Sequence, residues 1–462
     1  MTDRWQNQEE AMQFALSHPA VMLDMDMGTG KTRVAIDTVF RRKDIWKVLV
    51  VCPKAVIPVW RVNLLKFHDG EDWECWDTTK GTILKRGMDI QLFLEHPHAL
   101  LQFVVVNYDI VWRNPLGNYL LSAGFDAVIL DESHRAKAAG SKVSKYLAML
   151  GRRARYKMCL SGTPMANSPL DVYGQYRFLD PSIFGTRHDI FLQQYAIMGG
   201  PERRFIVGYK NQQELKAKFQ SIAYTCKMSD ISDRLKLPPV LPSTAVYVDL
   251  PSKDMTTCKR LSKEFIAECG SGNVVVSNVL SKMLRLQQIT SGFCAIQEDP
   301  FSPARIEDLN SSKGDELTNL LQDISPEASV VVFCVFTHDL DTVHDCAIDT
   351  KRTPFELSGR TNQLEEWKKC PGGVLAVQIQ AGAEGIDMTR ANHAIYFSLP
   401  HSLALYNQSK ARLYRPGQTR PVNFCHILAQ DTIDEVMYKA LEKKKDIVES
   451  IKAGTLDFGY LK

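Results

Sequence analysis

Six consecutive residues have the types and spacing of a phosphate-binding loop: Met27, Gly28, Thr29, Gly30, Lys31 and Thr32. They follow an apolar run, residues 20–23, and lead into an amphipathic helical pattern over residues 33–39. Glycines let backbone N–H groups converge on phosphate oxygens, and a helix N-terminus adds partial positive charge. We expect the two glycines and Thr29 to surround the phosphates of ATP. Lys31 should meet the β- and γ-phosphates, and the Thr32 hydroxyl should hold Mg²⁺.

A pair of adjacent carboxylates forms the second candidate for chemistry. Asp131 and Glu132 follow the apolar run 127–130 and precede Ser133 and His134. In a site for ATP with Mg²⁺, Asp131 would hold the metal through water, and Glu132 would orient or deprotonate the attacking water. The alternative is a turn with helix N-cap character, since Asp and Ser favour that position. The Gly-Lys-Thr sequence upstream favours the hydrolytic interpretation.

Two arginines form the third candidate. Arg412 and Arg415 lie three residues apart on a predicted helix, so that both project from one face. Guanidinium groups placed in this way can stabilise charge on a transferring phosphoryl group, the role of an arginine finger. A solvated basic helix face is the commoner fate of such a pair. Because the arginines lie far downstream of Lys31 on a separate predicted sheet, hydrolysis would require two lobes to close.

Short apolar runs alternating with helical patterns must position these residues. Buried strands that alternate with helices predict parallel, doubly wound sheets. Ligands of such sheets bind beyond the carboxyl ends of the strands, where polar clusters follow the runs of the first half. The runs are residues 48–52, 103–106, 127–130 and 158–160, and then 330–336, 355–357, 374–379 and 394–397.

Length, composition and charge bound the class of protein. A chain of 462 residues is too long for one core, and 45% hydrophobic with 24% charged residues is ordinary for a globular protein. A net charge of +3 neither requires nor excludes nucleic acid. The 11 scattered cysteines indicate reduced thiols, and no apolar run reaches membrane-spanning length. We therefore expect a cytoplasmic protein with no membrane partner.

Several stretches resemble motifs of the Swi/Snf branch of superfamily-two helicases. They are residues 131–142, 161–167, 227–239, 284–292, 312–313, 380–389 and 408–420. The resemblance covers nearly the whole chain and implies the α/β fold class, with two RecA-like doubly wound parallel-sheet lobes and an intervening helical region. It implies a first ATPase lobe over 1–180, helical protrusions and an interlobe linker over 181–310, and a second lobe with a C-terminal helix over 311–462.

The resemblance also implies further site residues. Gln8 lies where helicases of this group place a glutamine that reads the adenine edge, although a surface glutamine is the plainer interpretation. Asp387 would respond to nucleotide or ribose, although the branch usually carries Asn there. Four residues at strand ends beside the expected cleft are candidate DNA contacts: Lys54, Tyr108, Thr337 and His338.

The function implied is an ATP-dependent, Mg²⁺-dependent translocase or helicase that moves along duplex or branched DNA and drives branch migration or fork remodelling. The alternative is a DNA-stimulated ATPase that displaces DNA-bound proteins without separating strands. A strand-separating helicase would need a wedge, which the sequence does not reveal. The small size and lack of chromatin-reading modules suggest a bacterial or phage protein, and no protein partner is indicated.

Overall fold

The computed structural model describes residues 4–77, 79–165, 168–199, 205–270, 276–296, 305–309, 312–382 and 386–443. The chain divides into two compact units, Met1–Leu235 and Lys236–Lys462. The predicted helical region over 181–310 spans this division and contains strands of both units as well as helices. The three predicted domain ranges stay a prediction.

The first unit contains a parallel sheet of seven strands in the order β3-β4-β2-β5-β6-β1-β9. It also contains a separate antiparallel pair of strands, β7 and β8. The strands are β1 (Ala20–Met25), β2 (Lys47–Cys52), β3 (Trp73–Trp76), β4 (Leu101–Asn107), β5 (Ala127–Asp131), β6 (Tyr156–Ser161), β7 (Ala196–Gly199), β8 (Phe205–Tyr209) and β9 (Ala223–Cys226).

The α-helices of the first unit are α1 (Gln6–Ser17), α2 (Lys31–Arg41), α3 (Ile57–His68), α4 (Ile83–Glu95), α5 (Leu116–Ser122), α6 (Lys142–Gly151), α7 (Val172–Leu179), α8 (Pro181–Phe184), α9 (His188–Tyr195), α10 (Gln212–Gln220) and α11 (Met228–Ile231). Short 3₁₀ turns occupy Lys54–Val56, Ser133–Ala136 and Pro169–Asp171.

The central strands form because helices cover the sheet on both faces. Strands β4 and β5 are buried along their whole length, and Val50 of β2 pairs with Val105 on one side and Ile129 on the other. A strand buried on both faces reads as a continuous apolar run instead of an alternating pattern. This is the pattern from which the sequence predicted these strands.

The second unit contains a six-stranded parallel sheet in the order β10-β17-β16-β13-β15-β14 and a separate antiparallel pair, β11–β12. The strands are β10 (Thr244–Val248), β11 (Phe293–Ile296), β12 (Arg305–Asp308), β13 (Val330–Cys334), β14 (Pro354–Leu357), β15 (Val374–Gln378), β16 (His393–Tyr396) and β17 (Asn423–Ala429). The helices are α12 (Ser252–Gly270), α13 (Val276–Thr290), α14 (Ser312–Asp323), α15 (Thr337–Asp349), α16 (Leu364–Lys369), α17 (Ile379–Gly382), α18 (Leu403–Leu413) and α19 (Ile433–Glu442).

The predicted fold class is confirmed, since each unit has a parallel sheet flanked by helices and a hydrophobic core. Helix α19 ends at Glu442, and residues 444–462, which include much of the predicted C-terminal helix, lie outside the described part. No disulfide joins the cysteines whose side chains the structure describes. Within the described ranges, no helix combines the length and apolar character needed to cross a membrane.

Candidate active site

The loop between β1 and α2 has the backbone conformation that its glycines allow. Gly28 and Gly30 have φ angles of 82° and 95°, in the left-handed region that favours glycine. The Thr29 hydroxyl donates to the Asp26 carbonyl oxygen over 2.7 Å and so closes the turn. Helix α2 begins directly after Gly30, so its unpaired N–H groups lie at the end of the loop. This arrangement suits an anionic phosphate.

Helix α1 supports the loop through two buried amides. Asn7 and Gln8 are 5% and 3% exposed, and their side chains donate to the Thr29 carbonyl oxygen over 3.2 and 3.4 Å. Gly30 has a φ angle of 95°, which other residues rarely adopt, and a Cβ atom added there would lie 2.1 Å from Gln8 Nε2. Gln8 is therefore no surface residue, which rules out the plainer interpretation of its sequence position. Its contact with adenine stays a prediction.

Lys31 and the acidic pair come together at the carboxyl edge of the first sheet. Lys31 Nζ lies 3.8 Å from Glu132 Oε1, and both residues are 8% exposed. Strands β1 and β5 flank β6 in the parallel sheet, so the segments that follow them meet at one edge. The two stretches that the sequence marked separately thus form one cluster of charged groups.

Asp131 is held in place by donors on three sides. The Trp60 indole Nε1 donates to Asp131 Oδ2 over 3.1 Å, and the Glu132 N–H donates to Oδ1 over 3.0 Å. The Tyr108 hydroxyl donates to the Asp131 carbonyl oxygen over 2.9 Å. Burial, reinforced by the neighbouring Glu132 carboxylate, raises the pKa of Asp131. A bound cation would favour the charged form of this carboxyl.

Trp60 and Gln175 were missed by the sequence analysis. Trp60 reads as one more apolar position of a helix, and nothing in the sequence signals that its N–H meets a carboxylate. Gln175 of α7 accepts from the Ser133 hydroxyl over 2.7 Å and donates to the Pro164 carbonyl oxygen over 2.7 Å. It thereby joins the segment after β5 to the segment after β6.

Glu132 adopts a backbone conformation that is uncommon for its residue type. Its φ and ψ angles of 50° and 53° are left-handed. A non-glycine residue held there costs on the order of 1–3 kcal/mol and persists only when its surroundings impose the conformation. Here the buried Asp131 before it and the Ser133 contact with Gln175 after it supply that constraint. The turn directs the Glu132 carboxylate toward Lys31.

The segment after β6 completes this edge. His134 Nδ1 lies 3.4 Å from the Ser161 hydroxyl and 3.5 Å from Glu132 Oε2, and burial lowers the pKa of His134. The Thr163 N–H donates to the Ser161 hydroxyl over 3.1 Å. A Cβ atom on Gly162 would lie 3.2 Å from the Met25 carbonyl oxygen, so this segment packs against the phosphate-binding loop. Residues 166–167 of the motif lie outside the described part.

Lys227, which opens another of the Swi/Snf-like stretches, lies beside the start of the loop. Its Nζ atom is 3.2 Å from Asp24 Oδ1 and 3.4 Å from Asp26 Oδ1. The Met228 N–H donates to Asp26 Oδ2 over 2.9 Å. The end of β9 is therefore tied to the residues that precede the phosphate-binding loop.

The residues present fit ATP with Mg²⁺. Asp131 and the hydroxyl of Thr32 are oxygen donors of the kind that Mg²⁺ prefers, and Lys31 is a cation at a loop shaped for phosphate. When bound, Mg²⁺ supplies positive charge that neutralises the phosphates. Glu132 is the carboxylate placed to orient water or accept its proton. These roles stay predictions.

The two arginines of the second unit do not share a helix face as predicted. Arg412 is 6% exposed in the last turn of α18, but the helix ends at Leu413, before Arg415. The reason is Pro416, since a residue that precedes proline disfavours the helical conformation. Arg415 Nη1 instead donates to the Ile386 carbonyl oxygen over 3.0 Å.

Asp387 lies between the residues that contact these arginines. The Met388 N–H donates to the Arg412 carbonyl oxygen over 3.1 Å, so the two motifs pack together. Asp387 is exposed, and its Oδ1 accepts from the N–H and hydroxyl of Thr389 over 2.9 and 2.8 Å. It therefore shapes a local turn, and its contact with nucleotide stays a prediction. Residues 383–385 of this motif lie outside the described part.

The candidate DNA contacts differ in accessibility. Lys54 is exposed in the 3₁₀ turn after β2, and Thr337 is exposed at the start of α15. His338 Nε2 lies 2.8 Å from Asp308 Oδ1, and its ring stacks on Phe293 at 4.4 Å. Lys54 and Thr337 are therefore accessible, whereas His338 already has partners within its own unit.

The prediction for Tyr108 requires correction. Tyr108 is 3% exposed, and its hydroxyl is bound to the carbonyl oxygen of Asp131. A side chain buried in this way is not available to a DNA backbone. Its position at a strand end made it a candidate, but the same position also directs it into the core beside β5.

Trp60→Phe should raise the Mg²⁺ concentration needed for half-maximal ATP hydrolysis by about tenfold, because Asp131 loses a donor worth roughly 1.5 kcal/mol. Trp367→Phe is the matched control, since Trp367 is equally buried and donates to the Gly373 carbonyl oxygen in the second unit. Thermal unfolding without Mg²⁺ measures the packing loss of each variant. An unchanged Mg²⁺ requirement in Trp60→Phe would contradict this role.

Comparison with known proteins adds the family. A sequence model of the SNF2-related domain matches residues 1–292, and one of the helicase conserved C-terminal domain matches residues 312–417. The human protein described as "DNA annealing helicase and endonuclease ZRANB3" is 24% identical over 97% of this chain and 40% of its own length. "Uncharacterized ATP-dependent helicase MG018" of Mycoplasma genitalium is 23% identical over 94% of this chain and 40% of its own length.

The chain thus spans about 40% of the length of these relatives. One solved structure that this chain resembles is described as "Sulfolobus solfataricus SWI2/SNF2 ATPase core in complex with dsDNA". Its sequence is 20% identical, the TM-score is 0.45, and the match covers 100% of this chain and 96% of that chain. The SNF2-related match alone covers more than half of the chain. The chain therefore belongs to the SNF2-related family of ATP-hydrolysing, DNA-dependent helicases and translocases.

Proposed function

We propose that this chain is an ATP-driven, Mg²⁺-dependent translocase that moves along the duplex arms of branched DNA and drives branch migration or fork remodelling. The observation that carries the proposal is the similarity, over 97% of this chain, to a protein described as a DNA annealing helicase and endonuclease. Annealing forms base pairs, so a motor with annealing activity restores DNA base pairs as it moves. We further propose that it acts in the cytoplasm of a bacterial or phage-infected cell.

The proposed hydrolysis uses residues of both units. Lys31 binds the β- and γ-phosphates of ATP, Asp131 and Thr32 hold Mg²⁺, and Glu132 orients the attacking water. Arg412 and Arg415 stabilise charge on the transferring phosphoryl group, so that turnover depends on the second unit as well as the first. The close approach of Lys31 to Glu132 supports the part of this scheme that lies in the first unit.

The proposed DNA contacts are mainly to the phosphodiester backbone. Such contacts fix position without reading sequence, so binding should show weak sequence preference and fall steeply with salt. The exposed Lys54 and Thr337 are candidates for these contacts. Movement of a branch point replaces each pair lost with another pair, so the net free-energy change per step is small. ATP-driven translocation can therefore move a junction without net unwinding.

The test compares a mobile four-way junction with a plain blunt duplex of equal arm length. We expect ATP-dependent strand exchange on the junction and little strand separation on the duplex, with ATPase activity stimulated by duplex arms in both. Lys31→Ala protein is the control for contaminating activities. Efficient unwinding of the plain duplex, without preference for the junction, would overturn the proposal in favour of a strand-separating helicase.

A second readout addresses the alternative function. A streptavidin molecule bound to a biotin on one duplex arm reports displacement of a protein obstacle. Displacement together with junction movement agrees with translocation on branched DNA. Displacement with no change in base pairing on any substrate would identify an ATPase that removes DNA-bound proteins and would overturn branch migration.

A further inference from the structure

Two loops at the amino edge of the seven-stranded sheet are strongly basic. One joins α2 to β2, the other joins α6 to β6, and both strands flank β5. Residues 41–47 and 152–155 contain seven Lys and Arg residues and one acidic residue, Asp44. The whole chain is nearly balanced, with 56 basic and 53 acidic residues, so the excess is local. The strands have five or six residues, so this edge lies about 17–20 Å from the edge that carries Lys31 and Glu132.

Ion pairs and hydrogen bonds hold the two loops together. Arg155 Nη1 lies 2.6 Å from Asp44 Oδ2, and Arg155 Nη2 lies 3.4 Å from Asp126 Oδ1. The Tyr156 hydroxyl donates to Asp44 Oδ2 over 2.7 Å. The Arg42 guanidinium lies 3.9 Å from the centre of the Tyr156 ring and donates to main-chain carbonyl oxygens at the end of α1. The loops therefore form one surface, and Arg155 engages both of the carboxylates beside it.

Four further cations of these loops are exposed, namely Arg41, Lys43, Arg152 and Arg153. In the part of the chain that the structure describes, none of the ion pairs involves Lys43, Arg152 or Arg153. The acidic loop 69–72 of the same edge leads into β3, which lies two strands away from β2. The positive charge is thus concentrated over β2, β5 and β6, where it would attract a phosphodiester backbone.

Trp46 adds an aromatic ring to this surface. Its side chain belongs to a residue that is 49% exposed. Its backbone is fixed on both sides, because its N–H donates to Asp126 Oδ2 over 2.9 Å and its carbonyl oxygen accepts from the Gln102 N–H over 2.7 Å. The Asp126 carboxylate also pairs with Arg155, so Trp46 and the basic loops belong together. We call residues 41–47 and 152–155 the amino-edge surface.

We propose that the amino-edge surface binds single-stranded DNA. Its four exposed cations contact phosphates, and Trp46 stacks on an unpaired base. Aromatic side chains within a basic surface are the usual means of binding single strands, because every base has a face that can stack. In a duplex the base faces are already stacked on one another, so Trp46 favours a single strand. The inference goes beyond the proposed function, since this site would bind DNA whether or not the motor moves junctions.

A crosslinking experiment tests the contact without ATP hydrolysis. Trp46→p-benzoylphenylalanine protein is bound to duplexes that carry a single-stranded oligothymidine tail of either polarity and irradiated, and the crosslinked nucleotides are mapped. Leu100→p-benzoylphenylalanine is the control, because Leu100 is 65% exposed at the same edge, beside the acidic loop 69–72. We expect crosslinks from position 46 in the tail. No crosslink, crosslinks confined to the duplex, or an equal yield from position 100 would overturn the proposal.

A binding experiment measures the ratio of the affinity for a tailed duplex to the affinity for a blunt duplex. Fluorescence anisotropy without nucleotide should give a ratio of about ten or more for the wild type, and Trp46→Ala should lower it by about tenfold, the scale of one base stack. Trp46→Phe should keep most of the ratio because a ring remains. A wild-type ratio near one, or an unchanged ratio in Trp46→Ala, would overturn the proposal.

The salt dependence of binding tests the cations. Arg152→Ala with Arg153→Ala should reduce the slope of log affinity against log salt on the tailed duplex by about 1.4, since each phosphate contact of a single strand contributes about 0.7. Lys210→Ala with Lys216→Ala is the matched control, because both lysines are exposed in the same unit and the same charge is lost. An equal reduction in the control, or an equal change on the blunt duplex, would show a general electrostatic effect and overturn the proposal.

The outcomes separate this inference from the proposed function. ATP hydrolysis stimulated by a blunt duplex should be unchanged in all of these variants, because none alters the edge that carries Lys31 and Glu132. Wild-type protein that crosslinks to the tail but moves no junction would refute the proposed function alone. Wild-type protein that moves junctions but shows no preference for a tail would refute the amino-edge site alone.

Discussion

Lys31→Ala should abolish ATP hydrolysis, and Glu132→Gln should keep ATP binding while losing turnover. Lys31 lies at the start of α2 beside a loop shaped for phosphate, and its nearest acidic partner is Glu132 at 3.8 Å. Lys31→Ala would remove the cation that we propose contacts the β- and γ-phosphates. The glutamine keeps the shape of Glu132 but cannot accept a proton, so kcat should fall by about 10²–10⁴-fold.

The measurements are steady-state ATP hydrolysis with duplex DNA and binding of a fluorescent ATP analogue. Lys43→Ala and Glu95→Gln are matched controls, because both side chains are exposed in the same unit. Thermal unfolding with and without ATP shows whether Glu132→Gln still binds nucleotide in the folded state. Turnover of Glu132→Gln at the wild-type rate would refute the assignment of this carboxylate.

Arg415→Ala should lower kcat by about 10³-fold or more, the usual scale for an arginine finger, with little change in ATP affinity. Its guanidinium donates to the Ile386 carbonyl oxygen through Nη1, and an arginine side chain carries five N–H donors in total. Arg412→Ala should have a similar effect on kcat. Because Arg412 is 6% exposed, its removal should also lower the free energy of unfolding of the second unit.

Single-turnover hydrolysis and ATP binding separate the two effects, and thermal unfolding reports any loss of structure. Arg420→Ala is the control for the arginines, since Arg420 is exposed in the same segment. A purely structural role would change stability and ATP affinity together and leave the chemical step intact. Full hydrolysis by a well-folded Arg415→Ala protein, or an equal loss in Arg420→Ala, would refute the arginine-finger role.

The amino-acid sequence determined the parts of this protein that depend on local pattern. The central strands are continuous apolar runs because both faces of the sheet are covered, and such runs are visible without any coordinates. The phosphate-binding loop was equally readable, because Gly28 and Gly30 adopt φ angles that other residues rarely take. The failure at Arg415 was also local, since Pro416 ends the helix before it.

Only the tertiary structure decided which side chains meet. The donation from Trp60 to Asp131, the burial of Gln8 against Gly30 and the burial of Tyr108 join residues that are distant in the sequence. Periodicity specifies which face of an element is apolar. It carries no information on which segment covers that face, or on whether the face is covered at all. That choice depends on packing between segments far apart along the chain.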